Sequence, residues 1–248
     1  MVVLGCYYHF PKWYYQFQKS GSKFGRDGPT TRDGRVLGIF LTPMMLSAAV
    51  RRRDWSSAAA NAAPIVLQLG DARLRRRCQK CDLKDAATLA IERDLHAALE
   101  DFRLRNGYGR AISAPQIGHA VRMVACNLGS SAIHRPGKQP FTLVNPEITW
   151  RSKETFTMWD DCMSFPDQMV KLRRHTHISV AYLTPEGEPH NWTNLAQAES
   201  ELLQHEFDHL DGTLAVDLAE EIVARDEYLE RRAFYDSQVD YAIGSTIG

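Results

Sequence analysis

The chain has 248 residues, 44% hydrophobic and 24% charged, with 30 basic side chains against 30 acidic ones. That suits one globular domain of ordinary size with an extension, and excludes fibrous or low-complexity classes. No apolar run approaches the roughly 18 residues of a membrane span. The five cysteines (Cys6, Cys78, Cys81, Cys126 and Cys162) are odd in number and sparse, which argues against a disulfide framework and for a reducing compartment.

Residues 1–63 carry nine Lys/Arg, three Asp and no Glu, whereas the remainder is mildly acidic. The stretch "SGSKFGRDGPTTRDGRVLG" reads as loop or disorder. It is followed by "MMLSAAVRRRDWSSAAANAAP", rich in Ala, Ser and Arg with Asp54 its only acid, which has the composition of a mitochondrial presequence. The expected division is therefore a disordered extension over 1–63 that includes a presequence at about 44–63, a folded domain over 64–235, and a C-terminal tail over 236–248. A basic head of this kind points to targeting rather than to a nucleic-acid surface.

Within the folded part, "APIVLQLGDARLRRR" (63–77) begins apolar, ends basic and reads as a short extended segment. A helix is expected over 85–107, with Leu89, Leu95, Leu99 and Phe102 at helical spacing and Gly107 as its stop. Residues 120–128, 141–150 and 155–165 read as strands, with Pro146 demoting part of the second to a bend or an edge. The stretch 171–195 reads as a hairpin turning at Pro185-Glu186-Gly187. A long helix at about 197–212 and an amphipathic one at about 217–235 follow. Strands first and helices later predict an α+β fold, a mainly antiparallel β-sheet packed around a central helix.

That central helix contains His205, Glu206 and His209 in the pattern H-E-x-x-H. Residues four apart share a helix face, so both imidazoles can address one metal ion with a carboxylate beside them. A third protein ligand is needed. The run continues to Gly212 as in metzincins, but the position of their third histidine is Ala215. Glu220, Glu221, Glu227 and Glu230 offer a gluzincin-like alternative, that of an H-E-x-x-H metallopeptidase. Cys78-x-x-Cys81 is a lone pair, read as two ordinary thiols.

Two further stretches, "GRAISAPQ" (109–116) and "DDCMS" (160–164), together with "QHEFDHLDG" (204–212), resemble the peptide deformylase family. That family carries Gly-x-Gly-φ-Ala-Ala-Pro-Gln, Glu-Gly-Cys-Leu-Ser and Gln-His-Glu-x-Asp-His-Leu-x-Gly in this order. The likeness covers about residues 64–218, and the ordered set of three is specific. It implies a peptide deformylase-like fold and removal of the formyl group from the initiator formyl-methionine of nascent polypeptides, with release of formate.

The resemblance also implies that Cys162 is the third ligand beside His205 and His209. The ion would be Fe(II) first, since a thiolate suits it, with Zn(II), Co(II) or Ni(II) as alternatives. Glu206 would take a proton from the attacking water and pass it to the leaving amine. Gln116 and the backbone N–H of Met163 would stabilise the oxyanion, and Asp208 is a candidate to orient a ligand histidine. Arg110, Ala111, Ile112, Asp161, Glu201 and Leu202 would meet the substrate. If the presequence reading holds, the protein works in the mitochondrial matrix, with a transient organellar ribosome contact and neither nucleic-acid nor membrane binding; cytoplasm or another organelle is the alternative.

The chain departs from the family pattern around the substrate. Ala111 stands where the family has its second motif glycine, Arg110 where it has an apolar residue, and Asp160-Asp161 where it has Glu-Gly. Met169 occupies a position that is often arginine, and Ser200-Glu201 one that is commonly Ala-Arg. The expectation is retained chemistry with altered substrate preference, and an Arg110–Glu201 charge pair at the pocket. The alternative is a metal-binding relative with lost activity.

Overall fold

The computed structural model describes residues 63–128 and 140–242. The presequence expected at about 44–63 lies, but for its last residue, outside them. The first long element is helix α1 (Ala86–Asn106), whose start is fixed by the Asp85 carboxylate accepting the Ala87 N–H. Gly107 ends it in the left-handed conformation, φ +77°, returning its N–H to the Arg103 carbonyl. The buried face is Thr88, Ile91, Leu95, Ala98, Leu99 and Phe102. Leu89 belongs to the opposite face and is exposed, so the apolar stripe starts at Ile91.

Among the described residues eight strands form two antiparallel sheets. Strands β1 (Ala111–Ser113), β2 (Met123–Cys126), β3 (Phe141–Arg151), β6 (Ile178–Leu183) and β7 (Pro189–Leu195) pair in that order. Strands β4 (Thr155–Asp160), β5 (Gln168–His175) and β8 (Glu221–Ala224) form the second sheet. The hairpin between β6 and β7 turns at Thr184–Gly187, closed by the Gly187 N–H on the Thr184 carbonyl. Pro146 does not end β3: the ladder shifts register between Val144 and Glu147. Asn145 takes φ +51° in that bulge, where a proline without an N–H is tolerated.

Strand alternation distributes the core to both faces of the larger sheet. Met123 and Ala125 of β2 pack with Ile91, Leu95 and Leu99 of α1. Val124 and Cys126, on the other face, pack with Leu202, Leu203, Phe207 and Leu210 of helix α2 (Gln197–Leu210). On α2, the run from Ser200 to Phe207, His209 and Leu210 are all buried, as for a helix enclosed on all sides. Polar side chains fasten it to β5. Gln204 donates to the His175 carbonyl at 3.0 Å and accepts the His175 N–H at 3.0 Å, and the Ser200 hydroxyl donates to the same carbonyl at 2.8 Å.

The helix expected over 217–235 is not formed. Ala215–Asp217 is a 3-10 turn, Glu221–Ala224 is strand β8, and two short helices follow, α3 (Arg225–Glu230) and α4 (Arg232–Asp236). β8 lies along β5, Val223 opposite Met169 and Ile222 opposite Val170. Pairing with that edge and the β-branched pair Ile222-Val223 override the helical composition of the segment. Residues expected as a tail continue the packing: Asp240 accepts the Thr157 N–H and hydroxyl, and Tyr241 meets the Phe156 ring edge-on.

Candidate active site

The three ligand candidates come from two elements. Cys162 sits in the turn leaving β4, closed by the Phe165 N–H on the Cys162 carbonyl, while His205 and His209 share one face of α2. One donor atom from each of Cys162, His205 and His209 lies within 4.8 Å of the others, and all three residues are buried. Cys162 Sγ and His209 Nε2 are 3.3 Å apart. A tetrahedral ion with bonds of about 2.3 Å to sulfur and about 2.1 Å to nitrogen separates its ligand atoms by about 3.5 Å, so the donors fit one with little movement.

Asp160 orients the site from behind. Its Oδ2 is 2.9 Å from His205 Nδ1 and 3.0 Å from Arg174 Nη2, which leaves His205 Nε2 facing the cluster. Asp160 and Arg174 are each 3% exposed. Burial alone would raise the Asp160 carboxyl, but His205 and Arg174 outweigh it and hold it well below the usual range. Burial and the neighbouring His205 push His209 well below the ordinary imidazole value, which keeps it neutral as a ligand must be. The second motif acid, Asp208, pairs with Arg174 instead of a histidine.

Gln116, in a 3-10 turn after β1, is held in one orientation. Its Oε1 accepts from the Ser113 N–H at 2.8 Å and the Ser113 hydroxyl at 3.0 Å. Its Nε2 therefore points at Cys162 Sγ, 3.6 Å away, and at Ser164 Oγ, 3.3 Å away. Glu206 is 3% exposed, and its Oε2 has no hydrogen-bond partner among the described residues. Burial pushes its carboxyl up to about 7, against the pull of the neighbouring His205. Such a carboxylate is suited to exchange a proton near neutrality.

These groups open onto a cavity of about 660 Å³. Gln116, Cys162, Met163, His205 and Glu206 line it, and so do Arg110, Ala111, Asp161, Glu201 and Leu202. Met163 is anchored through its carbonyl, which accepts from Gln68 Nε2 at 3.2 Å. Arg110 Nη1 lies 2.6 Å from Glu201 Oε1. Burial lifts the Glu201 carboxyl above its ordinary value in spite of that guanidinium.

Ile112, expected at the substrate, is a correction. The strand alternation that turns Ala111 toward α2 turns Ile112 to the other face, where it is fully buried against α1. The gluzincin alternative also fails. Among the described residues the one ligand cluster is Cys162, His205 and His209; Glu220 approaches Arg173, Glu221 belongs to β8, and Glu227 pairs with Arg231. Cys78 and Cys81 stand apart from the site, their thiols raised by burial to about 11.

Three contributors are not singled out by the sequence reading. Ser113 replaces the first alanine of the motif, and that replacement was the available signal. Arg174 carries none, since its partners come from β4 and α2. Arg225 lies 3.1 Å from Asp161 Oδ2, stacks 4.0 Å over the Tyr108 ring and touches Met169. A guanidinium thus does reach this rim, but from the end of β8 and not from position 169.

The family model "Polypeptide deformylase" matches residues 63–224. A curated protein called peptide deformylase 2, from Nostoc sp. (strain PCC 7120), is 32% identical over 171 residues, covering 66% of this chain and 92% of that one. Peptide deformylase from Thermotoga neapolitana is 31% identical, over 60% of this chain and 82% of that one. Among solved structures, peptide deformylase from Thermotoga maritima superposes with a TM-score of 0.55 at 27% identity, over 64% of this chain and 99% of that one.

Proposed function

The chain belongs to the peptide deformylase family, and from that premise we infer that it removes the N-formyl group from nascent polypeptides and releases formate. The observation that carries the reading is a buried glutamate with one unpartnered carboxylate oxygen beside a Cys-His-His cluster. Cys162, His205 and His209 would hold a divalent metal, whose Lewis acidity would activate water at the formyl carbon. The thiolate favours Fe(II), and the same donors accept Zn(II), Co(II) or Ni(II).

The protein's own groups divide the remaining work. Glu206 Oε2 takes a proton from the attacking water and returns it to the leaving amine. Gln116 Nε2, fixed by Ser113, and the N–H of Met163 donate to the oxygen of the tetrahedral intermediate. Asp160 accepts the His205 Nδ1–H and so keeps Nε2 available. Arg110, Ala111, Asp161, Glu201 and Leu202 form the walls against which the peptide lies.

The test is formate release from formyl-Met-Ala-Ser and a panel of other N-formyl tripeptides, with protein loaded anaerobically with Fe(II). Expected is turnover by the wild type, loss of bound metal and of turnover in Cys162→Ala, and retained metal with a rate lower by roughly 10²–10⁴ in Glu206→Gln. Stoichiometric metal without formate from any N-formyl peptide would reject the deformylase reading and leave a metal-binding relative.

The Ala-, Ser- and Arg-rich stretch at about 44–63 supports action in the mitochondrial matrix on proteins made there, from which a brief contact with that organelle's ribosome would follow. Import of a fluorescent protein fused to residues 1–70 tests this; a cytosolic signal would refute it. Among the described residues no helix is long and apolar enough to cross a membrane.

A further inference from the structure

A second cleft, of about 570 Å³, lies behind α2 and shares no residue with the reaction cavity. Glu201, Leu202, His205 and Glu206 of that helix face the reacting groups, whereas Phe207, Asp208 and the helix-ending Asp211 face the second cleft. Its other walls are the segment from Arg77 to Lys80 and the end of β3, which contributes Glu147, Ile148 and Arg151. Cys78, Ile148 and Phe207 make an apolar floor.

The walls are pinned by the protein itself. The Cys78 N–H donates to the Leu210 carbonyl at 2.8 Å, the Gln79 N–H to the Ala120 carbonyl at 3.0 Å, and the Gln79 carbonyl accepts the Arg122 N–H at 2.8 Å. The Arg122 guanidinium donates to the Pro146 carbonyl from Nε at 3.3 Å and from Nη2 at 3.1 Å, and its Nη1 reaches Asp211 Oδ1 at 2.7 Å. Two of the three acids in the cleft are thereby matched, Asp211 by Arg122 and Asp208 by Arg174. Arg77, Lys80, Arg151 and Glu147 are exposed, and none of them makes an ion pair among the described residues. Three unmatched cations against one unmatched carboxylate make the cleft electropositive.

We propose that this cleft binds a nucleoside di- or triphosphate. The guanidinium forks of Arg77 and Arg151 match pairs of phosphate oxygens, and the Lys80 ammonium adds a third positive charge. Glu147 repels a phosphate, so it meets the other end of the ligand, where its carboxylate accepts from the ribose hydroxyls. The apolar floor takes the planar base. The volume suits one such molecule, since small-molecule sites run from roughly 300 to 1,000 Å³. A simple oxyanion would use the three cations and leave Glu147 and the floor idle. The residues stand outside the reaction cavity, so the proposal does not depend on the deformylase reading.

The experiment is calorimetry on the metal-loaded full chain with magnesium-saturated ATP and GTP, alongside pyrophosphate and a short adenylate RNA. Expected is saturable binding of a nucleotide at one site, with Kd raised at least about tenfold in Arg77→Ala/Lys80→Ala/Arg151→Ala. Glu147→Ala should weaken the nucleotide at least about threefold and leave pyrophosphate no weaker. All four side chains are exposed, so the variants should keep the circular dichroism and melting of the wild type. No heat from either nucleotide at about 1 mM would overturn the proposal. So would pyrophosphate bound as tightly as the nucleotides, which would make the cleft a reader of charge alone. Tighter binding of the RNA than of a free nucleotide would reassign the cleft to a phosphate backbone. Binding that survives the triple substitution would belong to the basic residues of 1–63, and would equally refute the site.

Discussion

Helix α2 buries two acid-bearing networks of opposite character, one at each end of the same face. At the ligand end, Asp160 is met by His205 and by Arg174, which also reaches Asp208. At the cavity end, Glu201 is as deeply buried but meets a single charged partner, Arg110. Burial is the same, so burial does not separate them; the number and burial of the partners do. A network whose lone pairs are filled by several buried partners holds other groups in place. A single pair with a partly exposed partner is freer to readjust.

Substitutions at the two ends test that contrast. Asp160→Asn leaves Arg174 buried with one partner fewer, and removal of one member of a buried pair typically costs about 3–5 kcal/mol. Urea unfolding of the metal-free protein should show a loss of that size, and a loss under about 1 kcal/mol would break the comparison. Ser113→Ala removes one of two donors that hold Gln116. Formate release should fall roughly tenfold in kcat, with KM little changed, as for a residue that aims an oxyanion donor. A change confined to KM would place Ser113 in substrate binding instead.

Glu201→Gln should cost less than Asp160→Asn, because the partner it leaves, Arg110, is 28% exposed and can turn to water, whereas Arg174 cannot. The two acids should also differ in sign with pH. The Asp160 carboxyl is depressed on folding, so its contribution is present at neutral pH and is lost as pH falls below the unfolded value toward the folded one. The Glu201 carboxyl is raised, so its contribution is present at low pH and is lost as pH rises through the folded value. Stability of wild type relative to Asp160→Asn should therefore shrink on acidification, and relative to Glu201→Gln it should grow. Parallel slopes would remove the distinction between the ends.

What the sequence reveals follows the range of the interaction. Asp85 and Gly107 bracket α1 as local capping predicts, and the Pro185-Glu186-Gly187 turn closes its hairpin. The ligand residues were legible because two lie on one helix turn and the third in an ordered motif, as was the Arg110–Glu201 contact from motif positions. The Asp160–Arg174 brace was not, since Arg174 is defined only by the pairing of β4 with β5 and by α2. β8 was hidden in a segment of helical composition because an edge of β5, distant in sequence, captures it. Ile112 shows the finest limit: the motif locates a strand at the site, and the phase of that strand decides which side chains face it.

Gly212 closes the ligand helix at φ +77°, and a β-carbon there would lie 2.6 Å from the Arg75 carbonyl oxygen. The chain before α1 is thus seated against the C-terminal end of α2, and the Cys78 N–H is bonded to the Leu210 carbonyl. In native-state hydrogen exchange, α2 should belong to the slowest unit, opening only when the N-terminal segment, both sheets and α1 let go together. The histidines would then hold their spacing before any ion arrives, so that metal capture is a docking event and not a folding one.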